Sequence, residues 1–403
     1  MNSMIRRSAA GAAVLLGVAA GIPAAGGAVT PGWRIADVAV SLTAAPTALA
    51  GGRSASSRQW RVVARTPGFL DAIIAPATTS AWAFGWIGES NGLIAPVARH
   101  WNGRLWTSVT MPPGVSDSGM ACAGASSPDN VWAFFGAGAS LGNPPSTAGA
   151  LLLRRGRWVL QKSFAGSYVT GCNVLSPSNV WVFGGAVAGL GPTVGTWHLT
   201  RSGWTLMHTG SLVLFKASVV SANDIWATGA DITNHGMRIA PVVAQWNGHA
   251  WVQHRSITAV LPRPTSQTSV GVDAIKALSP SNVWVEAFVE GHASIIGVVV
   301  VHWNGHGWHR VSQASPGFHL PNAVPDGQGG WWAPPFVENL SAPYLLHEAN
   351  GRWTRFPLPI SGGLSLGSFS LAQIPRTASM LAAGSSNRGG VILARGRLPS
   401  LAS

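Results

Sequence analysis

Lysine and glutamate are nearly missing from this chain: three of the first and five of the second occur in 403 residues, and charged side chains of every kind make up 10%. Helical surfaces spend both residues on pairs four positions apart, so a chain this poor in them is ill equipped for helices and reads as all-β. Acids total thirteen, which leaves little from which to assemble the two converging carboxylates of a glycosidase. Two tyrosines, Tyr168 and Tyr344, leave as little for a copper-radical oxidase. The sialidase Asp-box is absent, because "SPDNVW" spaces its Ser, Asp and Trp differently. Beyond the first thirty residues there is no run of eighteen apolar residues, so no membrane span is expected once a leader is removed. The two cysteines, Cys122 and Cys172, lie far from the N-terminus, which argues against a lipid-modified N-terminal cysteine.

What is abundant points to a folded, turn-rich protein: 47% hydrophobic residues, 50 glycines and 27 prolines. The net charge of +13 rests almost wholly on 23 arginines. Such a surface attracts polyanions, whether wall polymers, acidic glycans, anionic lipid or nucleic acid; the plain alternative is that the excess only aids solubility. The N-terminus, "MNSMIRRSAAGAAVLLGVAAGIPAAGGAV", has the Arg6–Arg7 pair, a short apolar run and a small-residue end of a signal peptide. Residues 1–28 are expected to be the leader, cleaved after Ala25 or Ala28, with a second candidate site as late as Ala50. Residues 29–56 then form an N-terminal segment ahead of a folded region over 57–403, and the protein is expected to be secreted.

The stretch "SPSNVWVFGG", residues 176–185, returns as "SPSNVWVEAF" around Trp284. Looser copies centre on Trp82, Trp132, Trp226 and Trp332, and a degenerate seventh, "RTASMLAAG", has Leu381 in the Trp position. Successive spacings are 50, 49, 45, 58, 48 and 49, a propeller period carried by strand-like runs. A second landmark follows each first, as in "HWNGRLW" to Trp106 and "QWNGHAW" to Trp251; Asn-Gly between apolar runs marks a tight hairpin. Each unit therefore reads as four antiparallel strands, one blade, with the Trp expected between neighbouring blades, where a large aromatic buries most area. Unit seven lacks a fourth strand, and "SSRQWRVVAR" around Trp60 is a fourth strand with no unit. The fold expected is all-β, a seven-bladed propeller of four-stranded blades closed by an N-terminal strand, which leaves no open sheet edges in the ring.

These motifs resemble those of secreted bacterial β-propellers built from "S-x-x-[DN]-V-W-A-x-G" and "H-W-[ND]-G-x-x-W" repeats, loosely akin to kelch and galactose-oxidase-like, sialidase-like and photosystem-assembly-factor-like propellers. The resemblance covers about residues 57–400 and implies the fold; it leaves the function open, because such relatives include oxidases, hydrolases and binding scaffolds.

Candidate chemistry is sparse. His100 and His302 share one repeat position, with His198 and His347 near equivalent places, but such positions in different blades lie on separate sheets, whereas metal ligands must converge; no metal or cofactor is expected. Asp71 and Asp273 fall on innermost strands lining the channel and read as structural, with Lys276 close enough to satisfy Asp273. Glu89, Asp231, Glu290 and Glu338 fall in the variable loops between second and third strands, with His235, Arg238, His292 and Asn339. The longest inter-blade segment adds Arg255, Arg263 and Gln267 to that face. Binding residues concentrate on variable loops held by rigid scaffolds, although exposed loops are polar in any protein. Arg238 and Arg263 are the expected anion contacts. Cys122 and Cys172, ten and nine residues before their Trp, should be disulfide-bonded or close neighbours, the one-residue offset leaving their relative facing open. The function expected is a monomeric, non-catalytic binding propeller for a cell-wall polymer, an acidic glycan or a surface protein, nucleic acid not being an expected partner in vivo. The alternative is an extracellular glycan-active hydrolase or lyase.

Overall fold

The computed structural model describes residues 59–398 except 91–93, 116–117, 138–146, 167, 186–193, 234–237, 292–293, 312–322, 336–342, 351, 361–368, 387 and 397. The signal-peptide and N-terminal-segment expectations, 1–28 and 29–56, lie outside the described residues. Seven four-stranded antiparallel sheets form blades one to seven: residues 69–109, 119–164, 171–206, 212–253, 268–310, 324–357, and 370–395 joined by Arg61–Thr66. The innermost strands of successive blades pack side by side, and that of blade seven packs against blade one. Between blades five and six the link includes Lys276 Nζ donating to the Ala323 carbonyl at 3.2 Å. Such a ring encloses an axial channel.

Closure comes from the N-terminal strand. Arg61–Thr66 pairs antiparallel with Gly389–Arg395, setting Val62 opposite Leu393. The packing between blades shows why the chain needs it. In blades one to four the first Trp meets the second Trp of the next blade edge-on: Trp82 with Trp158 at 5.1 Å, Trp132 with Trp204 at 5.7 Å, Trp181 with Trp251 at 5.7 Å and Trp226 with Trp308 at 6.3 Å. Blade seven has no second Trp of its own, and Trp60 fills that place, meeting Trp332 of blade six at 5.3 Å. Edge-to-face pairs of this kind contribute roughly 0.5–1.5 kcal/mol each beyond the area they bury.

The repeated turn residues have equally local reasons. In blade three Asn179 Oδ1 accepts the Trp181 indole N–H at 3.0 Å and faces His198 Nε2 at 3.0 Å, while the His198 ring stacks on Trp181 at 3.9 Å. Asn282, Trp284 and His302 repeat the arrangement in blade five at 2.8 Å, 3.0 Å and 4.3 Å. In blade six, where Gly330 stands in the Asn position, Asp326 from earlier in the turn pairs with His347 at 2.8 Å instead; in blade one Ser80, in the Asn position, reaches His100 at 3.3 Å. The repeat histidines are therefore half-buried groups, stacked on the Trp and hydrogen-bonded. At the outer hairpins, Asn102, Asn247 and Asn304 each accept two backbone N–H groups, and the glycine that follows takes positive φ, as at Gly103 (90°).

Successive residues of a blade strand face opposite neighbouring blades. Cys122 pairs opposite Phe134 and Cys172 opposite Val182. That places Cys172 one position along from the level of Cys122, so the first faces forward and the second back across the same interface. They are joined by a disulfide, with Cα atoms 6.2 Å apart. The offset that left their facing open is what lets two adjacent blades be bridged.

Candidate functional site

Four innermost strands carry a bulge at one level: the register slips between Leu70 and Ala72, Met120 and Cys122, Leu214 and Lys216, and Val272 and Ala274. A bulge frees one residue from the alternation and re-aims its side chain. The freed residues are Asp71, Ala121, Phe215 and Asp273. Asp273's side chain is outside the described set, and Phe215 is buried. Asp71 is exposed, between buried Leu70 and Ala72, on the innermost strand of blade one near its loop-side end.

The surroundings of Asp71 make it the most chemically distinctive group described. Burial among the surrounding protein pushes its carboxyl up to about 7, and a hydrogen bond from the Trp86 indole pulls the other way. The side chain is nonetheless reached by solvent, so it is walled in but wetted, as a channel lining would be. Trp86 lies at the loop-side end of Ser80–Gly88 and stacks on Phe69 at 4.4 Å with 24° between planes. Both rings are half-buried. An acid, an indole and a phenyl ring thus meet where the innermost strand of blade one enters the channel. Sequence reasoning placed Asp71 on the channel but not at a site, since the bulge that turns it outward leaves no mark in the motif.

The loop-side residues divide. Glu89 and Arg263 are exposed, Arg263 between blades four and five, where Arg255–Ala259 forms a 3-10 turn anchored by buried Ile257. Arg255 Nε donates to Gln253 Oε1 at 3.1 Å, and Gln267 is exposed. Arg238 starts the third strand of blade four, its side chain outside the described set. His235, His292, Glu338 and Asn339 lie outside the described residues. Two expected loop residues are in strands: Asp231 belongs to Asp224–Thr233 and Glu290 to Asn282–Gly291. The second strands of these blades run past the motif, and ladder pairing continues through Ala240 and Ile295 respectively. Asp231 accepts Ser211 Oγ–H at 2.5 Å and Gln253 Nε2–H at 3.4 Å. Burial raises the Glu290 carboxyl, opposed by a bond from Ser269 Oγ at 3.4 Å. Lys276, its ammonium lowered by burial, lies over the Trp331 ring at 5.5 Å besides bonding Ala323. Among the described residues no group of three or more His, Cys, Asp or Glu could hold a metal.

No family model matches the chain, and a search of curated proteins finds no match. Among solved structures the chain is similar to the GH74 xyloglucanase from Xanthomonas campestris, at 15% identity over 84% of this chain and 54% of that one, with a TM-score of 0.53. It is also similar to YCF48 from Cyanidioschyzon merolae, at 13% identity over 84% and 99%, with a TM-score of 0.49. A further neighbour is the SapL1 lectin in complex with alpha methyl fucoside, at 14% over 74% and 98%, with a TM-score of 0.43. The chain spans about half the length of the xyloglucanase. At these identities the likeness speaks for architecture alone. The chain is a seven-bladed β-propeller with structural neighbours of propeller type.

Proposed function

We propose that this protein is a secreted or envelope-associated binding propeller that takes a glycan at the loop-side mouth of its channel, without catalysing a reaction on it. The observation that carries this reading is the meeting of Phe69, Trp86 and Asp71 on one strand pair of blade one. Half-buried aromatic rings offer an apolar face to the C–H side of a sugar, and one well-placed polar group orients it. A carboxyl held near neutrality, at about 7, both donates and accepts hydrogen bonds there. Arg263, exposed on the same side, and Arg238 supply cations for acidic substituents.

The alternative, a glycan hydrolase or lyase, draws on the same carboxyl, whose raised value suits a general acid. It needs a second carboxylate about 5–10 Å away. Burial and Trp86 account for the Asp71 shift, with no charge of another described residue contributing. The test is calorimetric titration of the mature protein with a panel of soluble neutral and acidic polysaccharides, alongside Trp86→Ala. Loss of at least tenfold in affinity on an unchanged circular dichroism spectrum is the expected result. Binding unchanged by the substitution moves the site elsewhere, and release of reducing ends that Asp71→Asn abolishes makes the protein an enzyme.

A further inference from the structure

The face opposite that mouth carries the turns within the first and second and the third and fourth strands of every blade. Its outer hairpins carry arginines in four of the seven blades. Arg104, Arg201 and Arg352 stand at those turns in blades one, three and six, and all are exposed. Blade two places exposed Arg154, Arg155 and Arg157 around its turn. His249 and His306 take the place that follows Asn-Gly in blades four and five, and Arg376 occupies the inner turn of blade seven. None of these arginine side chains has a hydrogen-bond or ion-pair partner among the described residues.

Among the described residues anionic groups do not balance them. On the same face Asp224 is bound to Gln245 Nε2 at 2.7 Å, Asp326 is buried against His347 at 2.8 Å, and Glu348 is half-buried with a partner of its own. Asp129 is the exposed acid among the described turn residues. The loop side, by contrast, mixes exposed Glu89 with Arg65, Arg255 and Arg263. Turns of one type on blades of one architecture end at similar heights, so the cations form a shallow crown around the ring, not a pocket. Guanidinium groups of one sign on five of the seven blades, none of them paired among the described residues, sum to a field that attracts and holds an extended polyanion.

We propose that this crown is a docking surface for an acidic polysaccharide bearing carboxylate or sulfate groups along its chain. Guanidinium forks match both groups. A bilayer fits less well, because the exposed leucines of this face, Leu105 and Leu278, stand on blades one and five and make no contiguous apolar wedge. Single-stranded nucleic acid fits less well too, since no aromatic ring is among the exposed large hydrophobic residues described, and base stacking needs one. The crown and the loop-side mouth are independent surfaces, so each proposal stands or falls alone.

The experiment uses the full mature chain and heparin as the probe. Arg104→Gln, Arg201→Gln and Arg352→Gln are combined in one variant and compared with a charge-matched loop-side variant of Arg65, Arg255 and Arg388, the last exposed in the loop-side turn between Met380–Ser386 and Gly389–Arg395 of blade seven. The crown variant is expected to elute at no more than half the salt concentration of the wild type and to show a shallower dependence of retention on salt. The loop-side variant is expected to shift less, and the crown triple to lysine to fall between crown variant and wild type, which separates lost charge from damaged turns. Equal shifts in the two glutamine variants would reduce the effect to diffuse charge, and a larger loop-side shift would reverse the faces; either overturns the proposal. Binding to phosphatidylglycerol vesicles or to single-stranded DNA that is tighter than binding to heparin, and lost in the crown variant, overturns the choice of partner.

Discussion

Asp71 has an unusual effect on stability for an acid. Its folded carboxyl, pushed up to about 7 from an ordinary value of 3.8, binds a proton more tightly than the unfolded chain does. Its contribution is therefore fully present below about pH 3.8 and is lost as pH rises through 7. The stacked histidines act in the opposite sense. Burial lowers His100, His198 and His302, and also lowers His254, whose ring is tilted over Trp226, against the raising influence of Asp224, so their contribution is full above 6.5 and is lost as pH falls through their folded values. Asp71→Asn should thus raise the urea midpoint at pH 8 and leave it unchanged at pH 3. Between pH 7 and 5 the variant should lose stability more steeply than the wild type, because only the histidine contribution remains. A variant less stable than the wild type at pH 8 would show that the carboxylate is a structural partner of Trp86 and not a desolvated group. Little of this was legible in the sequence: eleven residues before Trp82 places Asp71 on the innermost strand, but one bulged residue decides whether it faces a neighbouring blade or the channel.

Within each strand-and-turn unit the repeated letters now have separable jobs. Asn179 serves both Trp181 and His198 through a single oxygen. Asn179→Ala leaves a fully buried indole N–H and a half-buried imidazole without that acceptor, so a loss of about 1–3 kcal/mol is expected in urea unfolding. Ser80→Ala, which removes only the longer contact to His100 at 3.3 Å, should cost less. Equal losses would place the energy in the turn backbone instead. The Ser-Pro-x-Asn turn, the Trp and the Asn-Gly hairpin could be read directly because each answers a local geometric demand that recurs in every blade. The ends of the second strands could not: nothing in composition separates Asp231 at a strand's end from a residue in the loop beyond it, since pairing there depends on a neighbour strand supplied later. The disulfide was half legible, proximity following from the repeat register and facing only from the alternation across an interface.

At the scale of the whole ring, the count of blades and the closure were readable because a surplus strand at one end matched a deficit at the other. Residues 1–66 removed, the edge of Gly389–Arg395 would be open and Trp332 would lose Trp60. The truncated chain should aggregate or unfold without a cooperative transition, and a peptide spanning 59–67 added in trans should restore a single sharp one. A truncated protein with the wild-type thermal midpoint would mean that closure contributes nothing to stability. The same pairing also sets a schedule. Arg61 donates to the Gly396 carbonyl across 335 positions of sequence, so the earliest synthesised of the described strands is the last to find its partner. At roughly 5–20 residues per second the chain emerges over something on the order of twenty seconds to a minute, with its opening strand waiting throughout. Every blade can form as it is made, yet the ring cannot lock until the end arrives. For that interval the molecule is an open arc with a sticky edge at its growing end, so the time between the first blade and the last is when it is most vulnerable to pairing with another copy of itself.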